Sequence, residues 1–301
     1  MKNHSSALTR FSYTSASLSM LPQRRARSNK GDYGRVLCIC GSKGMSGAAY
    51  LCAKAAYRTG AGLVEIFTHE CNRIILQTCL PEAIVTTYDD SYEQGSLLSS
   101  LERADTVVIG CGISQTALSR KILSDLLHAI DTKKTPLIID ADAINLLSRN
   151  RSLLKYTKGA ILTPHFLEAS RLLSAPVDGL MGDTAASAYQ ISELCGAVCV
   201  MKDHESAVSD GSERVYINKS GNSGMATAGS GDVLAGILGG LLAQFSKQEA
   251  KPSLLEATAL GVYVHGLAGD VAAQRLGEYS LMASDLVDAL STVLSKSTTN
   301  K

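Results

Sequence analysis

Short apolar runs alternate with segments of helical periodicity from residue 35 onward. The runs RVLCIC, GLVEIF, TVVIG, PLIID, GAILT and AVCVM are each five or six residues long, and glycine bounds or ends most of them. Such runs, separated by helical spacing of apolar residues, predict parallel strands joined by crossover helices. The predicted helices lie at 46–60, 117–130, 143–148, 167–173 and 184–195.

The last third of the chain has a different pattern. SAVSDGSERVYIN alternates around Asp210 and Gly211 and predicts a hairpin, and helices are predicted at 231–244, 254–276 and 284–294. Together the patterns predict an α/β fold with three layers, α/β/α, around a mostly parallel central sheet. Ligands of such sheets bind beyond the carboxyl ends of the strands, so candidate site residues are sought there.

Composition limits the domain count and the kinds of partner. With 45% hydrophobic and 19% charged residues, the 301-residue chain can bury a large core, and no break in composition marks a second domain. We predict a lead-in at residues 1–20 and one domain at residues 21–301. The net charge of +1 gives no general field for nucleic acid or an anionic membrane, and no apolar run reaches the ~20 residues that span a bilayer. We therefore expect neither a nucleic acid nor a membrane as a partner.

The N-terminal segment is basic and has two interpretations. Before Gly31 it contains no acidic side chain, but it contains Arg10, Arg24, Arg25 and Arg27. This composition fits a mitochondrial transit peptide, and it also fits a short basic lead-in to a cytoplasmic protein. We expect the cytoplasmic protein, because LTRFSYTSASLSMLPQ gives no convincing amphipathic helix.

Eight cysteines lie mostly inside apolar stretches, and no close pairs recur with zinc-site spacing. Cys38 and Cys40 share one face of a predicted strand. We therefore expect core thiols in a reducing compartment rather than disulfides or metal ligands.

The most specific motif is NKSGNSGMATAGSGDVLAG, which runs from residue 218 to residue 236. Its GSGD segment offers successive backbone amides with little side-chain bulk and then starts a helix, an arrangement that attracts anions. Asp232 could simply cap that helix. A carboxylate beside an anion site adds repulsion, however, and a general base close to a phosphoryl acceptor explains why both occur together.

Other predicted strands also end in polar or glycine-rich segments. GSKGMSG follows one of them, GCG stands at the end of another, and Asp140 and Asp142 stand at the end of a third. His165 and Glu168 open a helix after LTP, and Lys202 ends the strand AVCVM. For each of these segments a structural role, such as a tight turn or a helix cap, stays open beside ligand binding.

Five ordered segments carry a family resemblance: KGDYGRVLCICGSKGMSGAAYL, GAGLVEIFT, IIDADAINLL, ILTPHFLEASRLL and GNSGMATAGSGDVLAG. Together they resemble the NAD(P)H-hydrate dehydratases of the ribokinase-like superfamily, over about residues 21 to 294. The resemblance implies a ribokinase-like fold and the dehydration of the S epimer of NAD(P)H hydrate back to NAD(P)H, with ADP or ATP as co-substrate. It also implies Mg²⁺, a separate NAD(P)H-hydrate epimerase as companion, and a homotetramer.

The resemblance also assigns residues. It implies substrate binding at Ala48, Gly112 and His165, and a catalytic carboxylate that also touches substrate at Asp232. The implied nucleotide-binding positions are Lys202, Asp203, His204, Glu205, Ser206, Ala228, Gly229, Ser230 and Gly231. Metal ligands are not assigned. The chain departs from the family pattern at Ser223, where proline is expected, and at Asp203 and Ala228, where glycine is expected.

The implied chemistry is phosphorylation followed by elimination. Hydroxide is a poor leaving group, so phosphorylating the ring hydroxyl with ADP or ATP, with Asp232 as general base, gives phosphate as a better one. Two alternatives use the same motifs. A ribokinase-like kinase of a vitamin precursor would release a stable phosphorylated product, and a nucleotide sensor would bind without turnover.

Overall fold

The computed structural model of the protein describes residues 8–295. Residues 1–7 of the predicted lead-in and residues 296–301 of the predicted domain lie outside the described residues. The strands are β1 (Thr9–Phe11), β2 (Arg35–Ile39), β3 (Leu63–His69), β4 (Ile84–Tyr88), β5 (Thr106–Ile109), β6 (Leu137–Ile139), β7 (Ile161–Leu162), β8 (Val198–Met201), β9 (Ala207–Ser209) and β10 (Arg214–Ile217).

Helices connect and cover these strands. The α-helices are α1 (Ser46–Thr59), α2 (Arg73–Cys79), α3 (Gln94–Glu102), α4 (Ala117–Ala129), α5 (Ala141–Arg149), α6 (Phe166–Leu173), α7 (Val177–Met181), α8 (Thr184–Cys195), α9 (Ser230–Phe245), α10 (Leu254–Leu276) and α11 (Ala283–Ser295). Within the described part of the chain, no helix is both long enough and apolar enough to cross a membrane.

The ten strands found within residues 8–295 form one sheet in the order β1-β10-β9-β8-β7-β6-β5-β2-β3-β4. Every neighbouring pair is parallel except the two that include β9. The prediction of a mostly parallel sheet is therefore confirmed. Because β2 and β5 to β8 are parallel neighbours, their carboxyl ends lie at the same edge of the sheet.

Two apolar cores cover the two faces of the sheet. Along β2, Val36 and Cys38 contribute to one core, whereas Leu37 and Ile39 contribute to the other. Helices α1, α9, α10 and α11 bury residues in the first core, and α4, α5, α6 and α8 bury residues in the second. This alternation produces the predicted three layers, because successive strand side chains point to opposite faces.

The elements match the predicted pattern in most places. The predicted hairpin corresponds to the antiparallel pair β9 and β10. The apolar pattern did not reveal β4, α2, α3 or α7, and β4 is an edge strand whose Ile84 is exposed. Part of the predicted lead-in belongs to the sheet, since β1 pairs with β10, and Leu18 is 5% exposed.

Candidate active site

The candidate site lies at the carboxyl edge of the central strands. Gly110 and Cys111 follow β5, Asp140 follows β6, Thr163 follows β7 and Lys202 follows β8. The glycine-rich segment before α9 reaches the same place, because an added Cβ on Gly231 would lie 3.4 Å from the Lys202 Nζ and 3.8 Å from the Asp140 Oδ2. The order of the strands therefore gathers residues that are far apart in sequence.

The N-cap of helix α9 is a glycine, so no N-cap side chain closes the helix start. Gly229 is the N-cap with φ 91°, a left-handed conformation that favours glycine, and its added Cβ would lie 2.5 Å from the Leu51 Cδ1. Asp232 lies in the first turn without capping the helix through its side chain. Capping, the structural alternative for this carboxylate, is not what the side chain does.

Asp232 lies among groups that disfavour its ionised form. Ligand atoms of Cys111, Asp140 and Asp232 lie within 4.8 Å of one another. Burial raises the pKa of Asp232 to about 9, the neighbouring Cys111 and Asp140 side chains add to that rise, and Lys202 opposes it. Among residues 8–295, no basic side chain lies within ion-pair distance of Asp232. A raised pKa of this kind is typical of a general base or acid.

Asp140, in contrast, is buried and has both a hydrogen-bond donor and a cation as partners. Its Oδ1 accepts a hydrogen bond from the Thr163 hydroxyl at 2.6 Å and pairs with the Lys202 Nζ at 2.9 Å. The following residue, Ala141, has φ 49°, a left-handed conformation that is strained for a residue other than glycine. The Asp140–Lys202 pair therefore holds one ammonium group beside the start of α9.

Glu168 and His165 extend this network. Glu168 Oε2 lies 3.9 Å from the Lys202 Nζ, and its Oε1 lies 3.3 Å from the His165 Nε2. Burial raises the pKa of Glu168 to about 7. The His165 Nδ1 accepts from the backbone amides of Leu167 and Glu168, so the imidazole caps α6. Burial, and next the charge of Lys202, lower the pKa of His165, which favours its neutral form.

This arrangement can bind an anion and transfer a proton beside it. The amides at the start of α9 and the Lys202 ammonium attract negative charge, and Asp232 can accept a proton at the same place. The sequence profile of the NAD(P)H-hydrate dehydratases matches residues 36–292. The chain belongs to that family.

Relatives and solved structures agree with this assignment. The chain is 36% identical to the ADP-dependent (S)-NAD(P)H-hydrate dehydratase of Neisseria meningitidis, over 88% of this chain and 86% of the relative. It is 37% identical to the bifunctional NAD(P)H-hydrate repair enzyme Nnr of Vibrio cholerae, over 92% of this chain and 52% of the relative. The chain thus spans about half the length of the bifunctional relatives it matches.

The fold is that of known ribokinase-like proteins. A crystal structure of a ribokinase-like superfamily protein from Enterococcus faecalis has a TM-score of 0.85 and 33% identity, covering 96% of both chains. The ADP/ATP-dependent NAD(P)H-hydrate dehydratase of Bacillus subtilis, co-crystallised with ATP and Mg²⁺, has a TM-score of 0.80 and 29% identity, covering 94% of this chain and 97% of that one.

Two of the substrate positions that the resemblance implies are in contact. Gly112 has φ 62°, and an added Cβ would lie 2.8 Å from the Ala48 Cβ and 3.1 Å from the Met45 Cβ. The loop after β5 therefore packs against the start of α1. Its conformation is also held by Asp142, which accepts a hydrogen bond from the backbone amide of Ser114 at 2.8 Å. Gly112 directly follows Cys111, which contacts Asp140.

The nucleotide-side residues that the resemblance implies fall into two places. Lys202 joins the carboxylates, whereas residues 203–206 form the turn between β8 and β9. In that turn Asp203 accepts from the Thr184 hydroxyl at 3.2 Å, and its Oδ1 lies 3.1 Å from the exposed His204 Nδ1. Glu205 is exposed, and the Ser206 hydroxyl donates back to the Asp203 carbonyl at 3.0 Å.

The departures from the family pattern fit the backbone. Neither Asp203 nor Ala228 has a positive φ, so neither position needs the glycine that the family pattern leads one to expect. At the third departure, the Ser223 hydroxyl donates to the Glu278 carboxylate.

Ser230, another of the implied nucleotide-binding residues, contacts a buried histidine. Its hydroxyl lies 3.4 Å from the Nε2 of His265, and burial lowers the pKa of that histidine to about 4.

Sequence reasoning assigned no role in the site to Cys111 or His265, and although it placed Lys202 in the nucleotide site, it did not predict that Lys202 pairs with Asp140. Cys111 was expected to be a core thiol, yet its Sγ lies 3.8 Å from the Asp140 Oδ2. The available signal was position, because Cys111, Asp140 and Lys202 each lie at or directly after the end of a predicted strand. His265 lies within α10, and nothing in its sequence context marks it.

Proposed function

We propose that the protein dehydrates the S epimer of NAD(P)H hydrate to NAD(P)H at the expense of ADP or ATP, with Asp232 as the general base. The observation that carries the proposal is the position of Asp232, beside the amides of the glycine-rich helix start and with a strongly raised pKa. Membership of the NAD(P)H-hydrate dehydratase family supports the substrate, and relatives named ADP-dependent support the co-substrate.

Asp232 acts on the hydroxyl of the hydrated ring. As that oxygen attacks the terminal phosphoryl group of ADP, the carboxylate takes its proton, and AMP leaves with the former bridging oxygen. Only the ionised form of Asp232 can take this proton, and with a pKa of about 9 the ionised fraction is small at neutral pH and grows as pH rises. Once ionised, the group is a stronger base than an ordinary carboxylate. The ring nitrogen then pushes electrons toward carbon 6, phosphate leaves, and loss of a proton from the neighbouring carbon restores the double bond.

Positive charge beside Asp232 supports the transfer of the phosphoryl group. The amides of Ala228 to Gly231 and the N-terminus of α9 can stabilise charge on the transferring group. The Lys202 ammonium lies next to Gly231, where it can do the same. The pairing of Lys202 with Asp140 fixes the ammonium in that place rather than leaving it in solvent.

The site residues fit Mg²⁺, which we propose as the metal of the reaction. Carboxylate oxygens of Asp140 and Asp232 lie within 4.8 Å of each other, and oxygen is the ligand that Mg²⁺ prefers. When bound, the ion would neutralise charge on the nucleotide phosphates. We expect turnover to require added Mg²⁺ after treatment with EDTA, and turnover that persists in excess EDTA would contradict the proposal.

The test is an absorbance assay on S-hydrated NADH with ADP and ATP compared side by side. Recovery of NADH absorbance, with release of AMP or ADP and of phosphate, supports dehydration and identifies the preferred nucleotide. A stable phosphorylated alcohol formed from a vitamin precursor, without recovery from the hydrate, would support the kinase instead. Nucleotide binding without turnover of either substrate would support the sensor.

We further propose that the chain assembles into a homotetramer in the cytoplasm and receives the S epimer from a separate epimerase. Exposed apolar side chains support an assembly, since Ile74 and Ile75 are 75% and 48% exposed and Ile84 on the sheet edge is 40% exposed. Light scattering after size exclusion should give the mass of four chains. A monomer at micromolar concentration would contradict the assembly.

A further inference from the structure

Four buried cysteines meet on one side of the sheet, directly beneath the candidate active site. Cys38 lies on β2, Cys40 directly follows it, Cys52 lies on α1, and Cys111 follows β5; each of them is 0% exposed. The Sγ atoms of Cys40, Cys52 and Cys111 all lie within 4.8 Å of one another, and the Cys52 Sγ lies 3.8 Å from the Cys38 Sγ. We call Cys40, Cys52 and Cys111 the thiol triad.

The spacing of the thiol triad suits a thiophilic cation. A zinc–thiolate bond is about 2.3 Å long, so three sulfurs around one ion lie about 3.8 to 4.0 Å apart. Separations of at most 4.8 Å reach that spacing through small side-chain shifts. Soft thiolates select d¹⁰ cations such as Zn²⁺ over Mg²⁺, so this site and the carboxylates beside it would take different metals.

The triad adjoins the carboxylates of the candidate site through Cys111. Cys111 belongs to the triad and also lies within 4.8 Å of Asp232, which is partly exposed. The triad and the carboxylates thus share one residue. An ion held by the thiols would sit next to the groups that carry the proposed chemistry.

We propose that Cys40, Cys52 and Cys111 bind one Zn²⁺-class cation, and that filling this site stops turnover. Binding replaces three S–H bonds by three metal–sulfur bonds and releases three protons, so a divalent ion leaves the site with a net charge of −1. That charge lies beside Asp232 and Asp140, where it opposes an anionic nucleotide. Cys38, which contacts Cys52, is the candidate for a fourth ligand.

The binding test uses Cd²⁺ as the probe, because its thiolate complexes absorb in the ultraviolet. The exposed thiols are first removed by Cys71→Ser and Cys79→Ser, since the Cys71 Sγ lies 3.2 Å from the His69 Nδ1 and could bind the probe itself. In this background, under a reductant without thiols, we expect one Cd²⁺ per chain, a thiolate charge-transfer band, and reversal by a chelator.

Matched variants locate the site. Adding Cys52→Ala, or Cys40→Ser if that variant folds poorly, should abolish the band, whereas Cys199→Ala should keep it. Cys199 is equally buried but lies on β8 in the opposite core. Absence of the band in the background, or a band that Cys52→Ala and Cys40→Ser both leave unchanged, would overturn the site.

The predicted inhibition of turnover rests on the proposed function, but the test of metal binding does not. One equivalent of Cd²⁺ should abolish NADH recovery in the Cys71→Ser, Cys79→Ser background and should spare a folded Cys52→Ala variant. Full turnover with the band present would show that the thiol triad binds the cation and that this binding does not inhibit the enzyme.

Discussion

Two carboxylates of this fold, Glu65 and Asp232, have opposite surroundings. Glu65 on β3 is 0% exposed, pairs with Arg35, and accepts hydrogen bonds from the Ser100 and Thr86 hydroxyls at 2.6 and 2.8 Å. Burial by itself raises its pKa, but these partners together outweigh burial and hold the pKa below its usual range. Asp232 is also largely buried, yet its neighbours Cys111 and Asp140 reinforce burial and its pKa rises to about 9.

The difference separates a structural carboxylate from a reactive one. The partners of Glu65 stabilise its charge, so the residue contributes to folding and has little remaining proton affinity. The surroundings of Asp232 oppose its charge, so the residue costs stability as pH rises above the pKa that it has in the unfolded chain. A protein keeps such a group where the proton affinity serves a reaction. Changing each carboxylate to its amide tests this contrast directly.

The largest expected effect is on turnover in Asp232→Asn. Loss of the general base should lower kcat on S-hydrated NADH by a factor on the order of 10² to 10⁴. Stability should not fall. Because the folded state raises the pKa of Asp232, ionisation destabilises the protein as pH rises from the unfolded-state pKa toward about 9, and Asn removes that penalty. Near-normal turnover of the variant would contradict the assignment.

Glu65→Gln should produce the opposite result. The variant leaves the Arg35 guanidinium largely buried without a countercharge, which should lower the free energy of unfolding by about 3–5 kcal/mol. This loss of stability should be largest at neutral pH. It should shrink as pH falls through the lowered pKa of Glu65, because the wild-type carboxylate then becomes protonated. Chemical denaturation measures the stability, and kcat per folded molecule should remain normal.

Lys202→Met probes the charge that opposes the rise in the pKa of Asp232. Without the ammonium group, the pKa of Asp232 should rise further, so the ascending limb of kcat/KM against pH should move to higher pH. At neutral pH the rate should fall roughly tenfold, as expected from the loss of about 1.4 kcal/mol of charge interaction. Lys202→Arg keeps the charge and serves as the control. An unchanged pH profile in Lys202→Met would contradict electrostatic coupling.

The smallest expected effect is in Gly231→Ala. Alanine should favour the helix by up to about 1 kcal/mol, because Gly231 lies in the first turn of α9 without a positive φ. Its methyl group would nevertheless lie 3.4 Å from the Lys202 Nζ, in the proposed phosphate site, so KM for the nucleotide should rise roughly tenfold. Gly179→Ala, a glycine of α7 with no atom near the added methyl, should leave KM unchanged.

The sequence predicted the layers and the central carboxylate but not the partners that tune it. Parallel strands, the hairpin and Asp232 beside GSGD follow from local apolar spacing and turn chemistry. The Asp140–Lys202 pair joins residues 62 positions apart, and it depends on which strands are neighbours in the sheet. The thiol triad likewise depends on packing between β2, α1 and β5, so eight scattered cysteines look like ordinary core residues.

The most direct measurement is an NMR titration of the Asp232 side-chain carboxyl carbon in protein labelled with ¹³C-aspartate. The resonance is assigned by its loss in Asp232→Asn. We expect it to titrate with a midpoint near pH 9, far above the ordinary value of about 4 for an aspartate. A midpoint near the ordinary value would contradict the contrast with Glu65, and with it the claim that the surroundings of Asp232 hold a strong base in place.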